Sequence, residues 1–188
     1  MPADGYTLSM NASGPLGIAP HLFKEATYDP RTDFTPIMLV AAVAQTLVVS
    51  SKSNIKSVEP LRYLPGVKVL VLDENRIEDI SPLSDLPNLY HLNLISNEIS
   101  ELFVEGDNPF PSLREMYLGL NLVKDISPLS NLLSLRILGL RGNTRIVDVS
   151  SLARLVTRLV QLNIMGTSVS AEDYLDLVGK LPGCKITI

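Results

Sequence analysis

The side chains that could carry chemistry are few and scattered. The chain has two histidines, His21 and His91, and one cysteine, Cys184. A Cys/His zinc site needs several such ligands at short spacings, and nucleophilic catalysis needs a nucleophile beside a base that an acid orients. The segment around His21, Ala-Pro-His, supplies neither arrangement. We therefore predict a protein that is not an enzyme, with no catalytic residue, no metal site and no cofactor.

Two acidic pairs, Asp73-Glu74 and Glu78-Asp79, are the remaining candidates for a cation site. A calcium loop requires oxygen ligands in an Asp-x-Asp-x-Asp-Gly arrangement, which these pairs lack. Phosphate-binding and dinucleotide-binding glycine motifs are also missing from the sequence. We expect the acidic pairs to be solvated loop charges and Cys184 to be a small buried filler.

Composition excludes several classes of protein. The 188 residues are 46% hydrophobic, as in a folded domain, and 16 basic against 20 acidic residues give a net charge of −4, which disfavours nucleic-acid binding. The longest apolar run, 37–49, is shorter than the roughly 20 residues that span a bilayer. With no recognisable leader and a single thiol, the sequence predicts a cytoplasmic, monomeric protein without membrane contact.

A repeat dominates the second part of the chain. Five nine-residue segments have large apolar residues at repeat positions one, four and six, and four of them end in asparagine. Their last residues are 22, 24, 22 and 24 residues apart, namely Asn75, Asn97, Asn121, Asn143 and Thr167. Positions four and six share one face of a short strand, so we predict that both are buried.

The residues between the segments follow a second pattern. Apolar residues recur every third position, as from Ile77 to Leu86 and from Val123 to Leu132, and are interrupted by Ser-Pro pairs. This spacing favours short 3₁₀ turns over long helices. Repeats of this length bury their apolar side only by stacking, which produces a parallel sheet and a continuous core. The asparagine amides are expected to bond the backbone where each strand ends.

The pattern LxxLxLxxN with its I-x-x-I-x-x-L return resembles the leucine-rich repeat family, in particular the short, internalin-like class. The resemblance covers about residues 54–188 and implies an α/β right-handed solenoid with a concave parallel sheet, a 3₁₀ or irregular convex side and a role in binding proteins. A Pro-rich insertion, 103–111, is expected to bulge from the convex side or edge. Ser170 and Gly179 are predicted to start and stop a capping helix, followed by a closing strand within 181–188.

Residues 1–50 carry no such repeat and form a separate predicted domain, a short α/β segment ahead of the 51–188 repeat domain. Strings such as Ser13-Gly14-Pro15 and the stretch 28–36 resemble part of a Bug-type substrate-binding protein of tripartite tricarboxylate transporters. That resemblance implies carboxylate solute binding as an alternative function. A fusion product without a dedicated function is the other alternative. We expect the segment to dock on the open end of the solenoid, with Val48 in register for an edge strand.

Repeat positions three, five and seven must face away from the core, so they define the predicted binding surface. Tyr117 is central and flanked by Gly119 and Gly139, as expected of an aromatic interface anchor. A protein or peptide is the predicted partner. The predicted contact residues are His91, Asn93, Ile95, Glu115, Tyr117, Arg136, Arg141 and Asn163. Acidic residues dominate 73–107 and basic residues dominate 114–158, which would orient an oppositely polarised partner.

Overall fold

The computed structural model describes residues 45–48, 53–102 and 110–188. Its core element is one parallel sheet in which each strand pairs with the next along the chain. The strands are β1 Gln45–Val48, β2 Val67–Val71, β3 His91–Asn93, β4 Glu115–Tyr117, β5 Ile137–Gly139, β6 Gln161–Asn163 and β7 Lys185–Thr187. The consecutive strand order is the one that a stacked repeat requires.

The strand register follows the repeat positions. Leu92 of β3 pairs with Met116 of β4, and Met116 pairs with Leu138 of β5, so equivalent side chains stack across the sheet. Leu92, Met116 and their position-six neighbours Leu94 and Leu118 are almost fully buried. The predicted inward face is therefore confirmed, and stacking of large apolar side chains at repeat positions one, four and six builds a continuous core.

Short 3₁₀ helices return the chain from one strand to the next, as predicted. They span Glu59–Tyr63, Ser81–Asp85, Ser127–Asn131 and Ser150–Leu155. Three of them are preceded by an aspartate whose carboxylate accepts the first serine N–H at 2.8 Å, namely Asp79, Asp125 and Asp148. Asp79 is exposed, as expected of a solvated loop charge, and its carboxylate also accepts a backbone N–H two residues further on, at the start of a 3₁₀ helix.

The four asparagines at repeat position nine are buried and join neighbouring repeats. The Asn97 side-chain oxygen accepts the Ile77 N–H at 3.0 Å, while its nitrogen donates to the carbonyls of Leu72 and Leu94. Asn75, Asn121 and Asn143 accept in the same way from the residues 20 to 22 positions before them. Their amides thus satisfy buried peptide groups in two repeats at once.

The last repeat departs from this arrangement. The Thr167 hydroxyl donates at 2.8 Å to Ile164 of its own repeat. Within the described residues, the Ile146 N–H is bonded by the backbone carbonyl of Asn143 and not by a side chain of the following repeat. This agrees with the looser connection expected where threonine replaces asparagine.

Repeat position eight has a backbone conformation that the sequence pattern did not predict. Glu74, Ser96 and Leu120 have φ angles between 53° and 57°, and the equivalent Gly142 and Gly166 have φ angles of 75° and 72°. All five are left-handed, a region that costs a non-glycine residue free energy. The bend that ends each strand therefore depends on this conformation.

The structure describes only part of segment 1–50 and of the insertion. Strand β1 pairs with β2, and Val48 lies opposite Val71, so the predicted edge strand is confirmed. The rest of segment 1–50, including Ser13 and Gly14, lies outside the described residues. So do 103–109 of the insertion, which leaves its predicted bulge untested. Of the two described residues of the insertion, Phe110 is buried in the core and Pro111 is exposed.

The chain ends in helix α1, Ala171–Lys180, and strand β7, which pairs with β6. The Ser170 hydroxyl accepts the Asp173 N–H at 3.0 Å, confirming the predicted N-cap. The prediction that Gly179 stops the helix was wrong. The helix continues through Lys180, and its C-cap is Leu181, whose N–H donates to the Leu177 carbonyl. Leu177 and Leu181 are buried against the last repeat.

Candidate functional site

The sheet face opposite the core carries the side chains of repeat positions three, five and seven; we call it the outer sheet face. These side chains are half-buried by their neighbours on adjacent strands or are exposed. Seven of the eight predicted contact residues occupy it: His91, Asn93, Ile95, Glu115, Tyr117, Arg141 and Asn163. The sheet thus assembles residues that are separated by up to 72 positions in the sequence.

A polar and aromatic cluster lies at the middle of this face. His91 and Glu115 are paired residues of β3 and β4, and His91 Nδ1 lies 2.9 Å from Glu115 Oε2. The Tyr117 hydroxyl donates to the same carboxylate oxygen at 3.4 Å. The His91 and Tyr117 rings are tilted with their centroids 5.4 Å apart. One carboxylate therefore fixes the orientation of both rings.

Burial and charge act together on Tyr117. Partial burial is the largest cause that raises the pKa of its phenol, and the Glu115 carboxylate adds repulsion of the phenolate and a hydrogen bond to the neutral form. Tyr117 is therefore a neutral hydrogen-bond donor over the whole physiological range. It can donate to a partner only by releasing or sharing its bond with Glu115.

Small residues make the space for this cluster. A Cβ atom at Gly139 would lie 3.2 Å from Cδ1 of the Tyr117 ring, so the ring rests on the Gly139 backbone. A Cβ atom at Gly119 would lie 3.2 Å from the Arg141 carbonyl and 3.7 Å from Ile95. A side chain at either glycine would therefore contact its neighbours on this face closely.

Two asparagines of the predicted set mainly support the backbone. The side-chain oxygens of Asn93 and Asn163 accept the N–H groups of Ile95 and Met165, two residues further on, at 3.1 Å and 3.0 Å. The Asn93 amide nitrogen also donates to the Asp73 carboxylate at 3.5 Å. Each therefore has donor capacity left for a ligand.

Arg136 is the predicted contact that does not lie on the outer sheet face. It occupies repeat position two, immediately before β5, and is exposed. Its equivalents in the other repeats are Lys68, Tyr90, Arg114 and Val160, which form a second column near the amino ends of the strands. Equal repeat positions predict that these residues are neighbours, but Arg136 was grouped with the residues of positions three, five and seven.

The described residues include no group of three or more His, Cys, Asp or Glu side chains placed to hold a metal ion. Cys184 is half-buried, and desolvation raises the pKa of its thiol, so it is the poorly ionised filler that we expected. None of the helices in the described ranges has the length and apolar character needed to cross a bilayer.

Comparison with known proteins identifies a known repeat within the chain. A model of paired leucine-rich repeats matches residues 65–105 and 111–154. The chain carries leucine-rich repeats, and its sheet is a leucine-rich-repeat solenoid. The family match begins at residue 65, so the transporter-receptor resemblance of residues 1–50 lies outside it. Search of curated proteins by sequence produced no match.

Solved leucine-rich-repeat structures resemble the chain. An internalin, inlF, from Listeria monocytogenes is 30% identical, with a TM-score of 0.67 over 76% of this chain and 40% of that one. A leucine-rich repeat protein of Leptospira interrogans has a TM-score of 0.63 and 23% identity over 76% of this chain and 35% of that one, which shows the fold alone.

Internalin C2 of Listeria monocytogenes is 27% identical and has a TM-score of 0.55. That alignment covers 71% of this chain and 56% of the internalin. The chain spans less than half the length of the first two of these proteins. Leucine-rich repeats of this kind are typical of protein-interaction modules.

Proposed function

We propose that the protein binds a partner protein or peptide on the outer sheet face, which we take to be the concave side of the solenoid, and that it has no enzymatic activity. The observation that supports this is the His91–Glu115–Tyr117 cluster. It holds an aromatic ring in a fixed orientation on an accessible surface. Fixed aromatic side chains are favoured as binding anchors because little side-chain entropy is lost on association.

The groups around the anchor indicate how the partner is recognised. The Tyr117 hydroxyl and the side-chain amide N–H groups of Asn93 and Asn163 favour acceptors such as peptide carbonyls, while Ile95 supplies apolar contact. Arg141, exposed at the edge, favours a carboxylate. Six or seven strands about 4.8 Å apart provide a surface about 25–30 Å long, enough for an extended peptide or one helix.

The experiment selects binders from a displayed peptide or protein-domain library with the full chain. Their dissociation constants are then compared for wild type and Tyr117→Ala/Arg141→Ala. We expect a loss of about tenfold or more, since anchors of this type contribute about 1.4 kcal/mol or more. The matched control is Tyr63→Ala/Arg145→Ala, which removes the same two residue types from exposed positions away from the outer sheet face. Equal affinities for wild type and the first variant would refute the assignment.

Three further properties predicted from the sequence have not been tested: carboxylate binding, the monomeric state and the cytoplasmic location. Carboxylate binding by segment 1–50 is tested by thermal stabilisation with citrate or glutamate, and no observation on the described residues favours it. A monomeric state and a cytoplasmic location are likewise predictions, to be tested by analytical ultracentrifugation and by fractionation.

A further inference from the structure

The column at repeat position two has an unusual charge. Its residues are Lys68, Tyr90, Arg114, Arg136 and Val160, and we call the first four the basic rim. The backbone fixes them side by side: the N–H groups of Tyr90, Arg114 and Arg136 donate to the carbonyls of Lys68, Tyr90 and Arg114 at 2.8–2.9 Å. With strands about 4.8 Å apart, the rim is about 14 Å long.

The three cations of the rim have no carboxylate partner among the described residues. Elsewhere in the described structure, Arg62 is held by Glu59 and Asp85, and Lys180 by Asp176. Like charges directly opposite each other on adjacent strands, such as Arg114 and Arg136, are unfavourable for folding. The rim is also positive in a chain whose net charge is −4. Its charge therefore has no structural explanation within the described fold.

The rim borders a depression of about 490 Å³. Lys68, Tyr90 and Arg114 line it together with the side chains of Thr46, Ser112 and Ser134. The Arg114 guanidinium lies over the Tyr90 ring, 5.6 Å from its centroid. A stacked guanidinium keeps its N–H groups directed outward in a fixed plane, which suits bidentate binding of a carboxylate.

The floor of the depression is rigid. The hydroxyls of Ser112 and Ser134 donate at 2.7 Å to the carbonyls of Pro87 and Pro111 in the preceding repeats. A preformed site loses less entropy on binding than one that must become ordered. The depression thus combines two cations, an aromatic ring stacked on one of them and two hydrogen-bonded serines.

We propose that the basic rim binds an acidic linear peptide segment of a partner protein, at a site separate from the outer sheet face. Lys68 and Arg114 are two strands apart, about 10 Å, which is close to the ~9 Å between residues i and i+3 on one face of a polyproline II peptide. Two carboxylates at that spacing would reach both cations, while the peptide backbone lies over Tyr90. A protein ligand is favoured over nucleic acid because the chain is acidic as a whole.

The test uses the full-length chain labelled with ¹⁵N and titrated with acetylated pentaglutamate amide, in about 20 mM and about 150 mM salt. Saturable shifts are expected at the amides of Tyr90, Arg114 and Arg136, and they should weaken at the higher salt. Arg114→Gln/Arg136→Gln should raise the dissociation constant about fivefold or more.

The matched control is Lys124→Gln/Arg145→Gln, which removes the same charge from exposed residues beyond the carboxyl ends of the strands and should change the constant less than about twofold. Tyr117→Ala should leave it unchanged, which separates this site from the outer sheet face. The proposal is overturned if the rim amides do not shift or if both charge variants lose the same affinity for the peptide. It is also overturned if an octathymidine oligonucleotide shifts the same amides and binds more tightly than the peptide.

Discussion

The side-chain oxygen of Asn121 accepts the backbone N–H of Ile99, 22 residues earlier, at 3.1 Å. The same amide donates to the Leu94 carbonyl at 2.9 Å and to the Leu118 carbonyl at 3.0 Å. One side chain thus satisfies peptide groups of two successive repeats inside the core. The contacts between repeats therefore include directed hydrogen bonds as well as apolar packing.

Replacing Asn121 with alanine should destabilise the solenoid strongly. The change leaves the buried Ile99 N–H without its partner and removes one of two side-chain bonds from each of the Leu94 and Leu118 carbonyls, at a cost of about 2–4 kcal/mol in free energy of unfolding. Urea denaturation measures this cost. Asn88→Ala is the control, because Asn88 is exposed and its amide donates only to the Pro65 carbonyl, so its loss should cost less than about 1 kcal/mol. Equal losses would contradict the role given to Asn121.

The same substitution at two glycines should have opposite effects. Gly142 has a φ of 75°, and an added Cβ would lie 2.6 Å from a Leu120 methyl carbon. Gly142→Ala should therefore lower the free energy of unfolding by about 1–2 kcal/mol. Gly179 lies in α1 with nothing within 4 Å of an added Cβ, so Gly179→Ala should stabilise by up to about 1 kcal/mol. Thermal melts measure both effects, and a change of melting temperature in the same direction for the two variants would contradict this explanation.

Glu115→Gln should lower the pKa of Tyr117. Removing the carboxylate charge removes repulsion of the phenolate, but burial, the larger cause, remains, so the pKa should stay above its ordinary value of 10. The raised pKa contributes stability that is present below pH 10 and lost as pH rises through the pKa of the folded state. Tyrosinate absorbance in an alkaline titration measures the change, and Tyr117→Phe identifies which of the six tyrosines is responsible. An unchanged titration in Glu115→Gln would contradict the coupling.

Phe110→Ala should destabilise the fold, although Phe110 lies in the insertion 103–111 and not at a repeat position. Its ring is 1% exposed, and truncating a buried phenylalanine costs about 3–5 kcal/mol. Tyr63→Ala is the comparison, because Tyr63 is 69% exposed and should change the unfolding free energy by less than about 1 kcal/mol. Chemical denaturation of the two variants should separate them clearly.

Much of the fold could be predicted from the sequence because the repeat period determines which residues stack. Burial of Leu92 and Met116, the 3₁₀ returns and the Ser170 cap all follow from local spacing. The stop at Gly179 could not be predicted correctly, since a glycine in a helix is tolerated when the next turn is held by packing, here of Leu181.

The candidate site was predicted as a set of positions but not as a structure. Shared position three already predicted that His91 and Glu115 are neighbours. Their hydrogen bond, and the position of the Tyr117 ring over Gly139, depend on side-chain rotamers that a one-dimensional pattern does not specify. The stack of Arg114 on Tyr90 in the basic rim could not be predicted either, because it also depends on side-chain rotamers.

Thr167, where four earlier repeats have asparagine, has a consequence for how the molecule opens. Each asparagine amide clamps its own repeat to its predecessor. Between the fourth and fifth repeats no side chain at repeat position nine does so, and the contacts are main-chain bonds, the Ser168 hydroxyl bond to the Thr144 carbonyl and apolar packing. Fraying should therefore slow at this boundary. The fifth repeat, the capping helix and the last strand should open as one unit, with faster amide hydrogen exchange after Asn143 than in the clamped repeats before it.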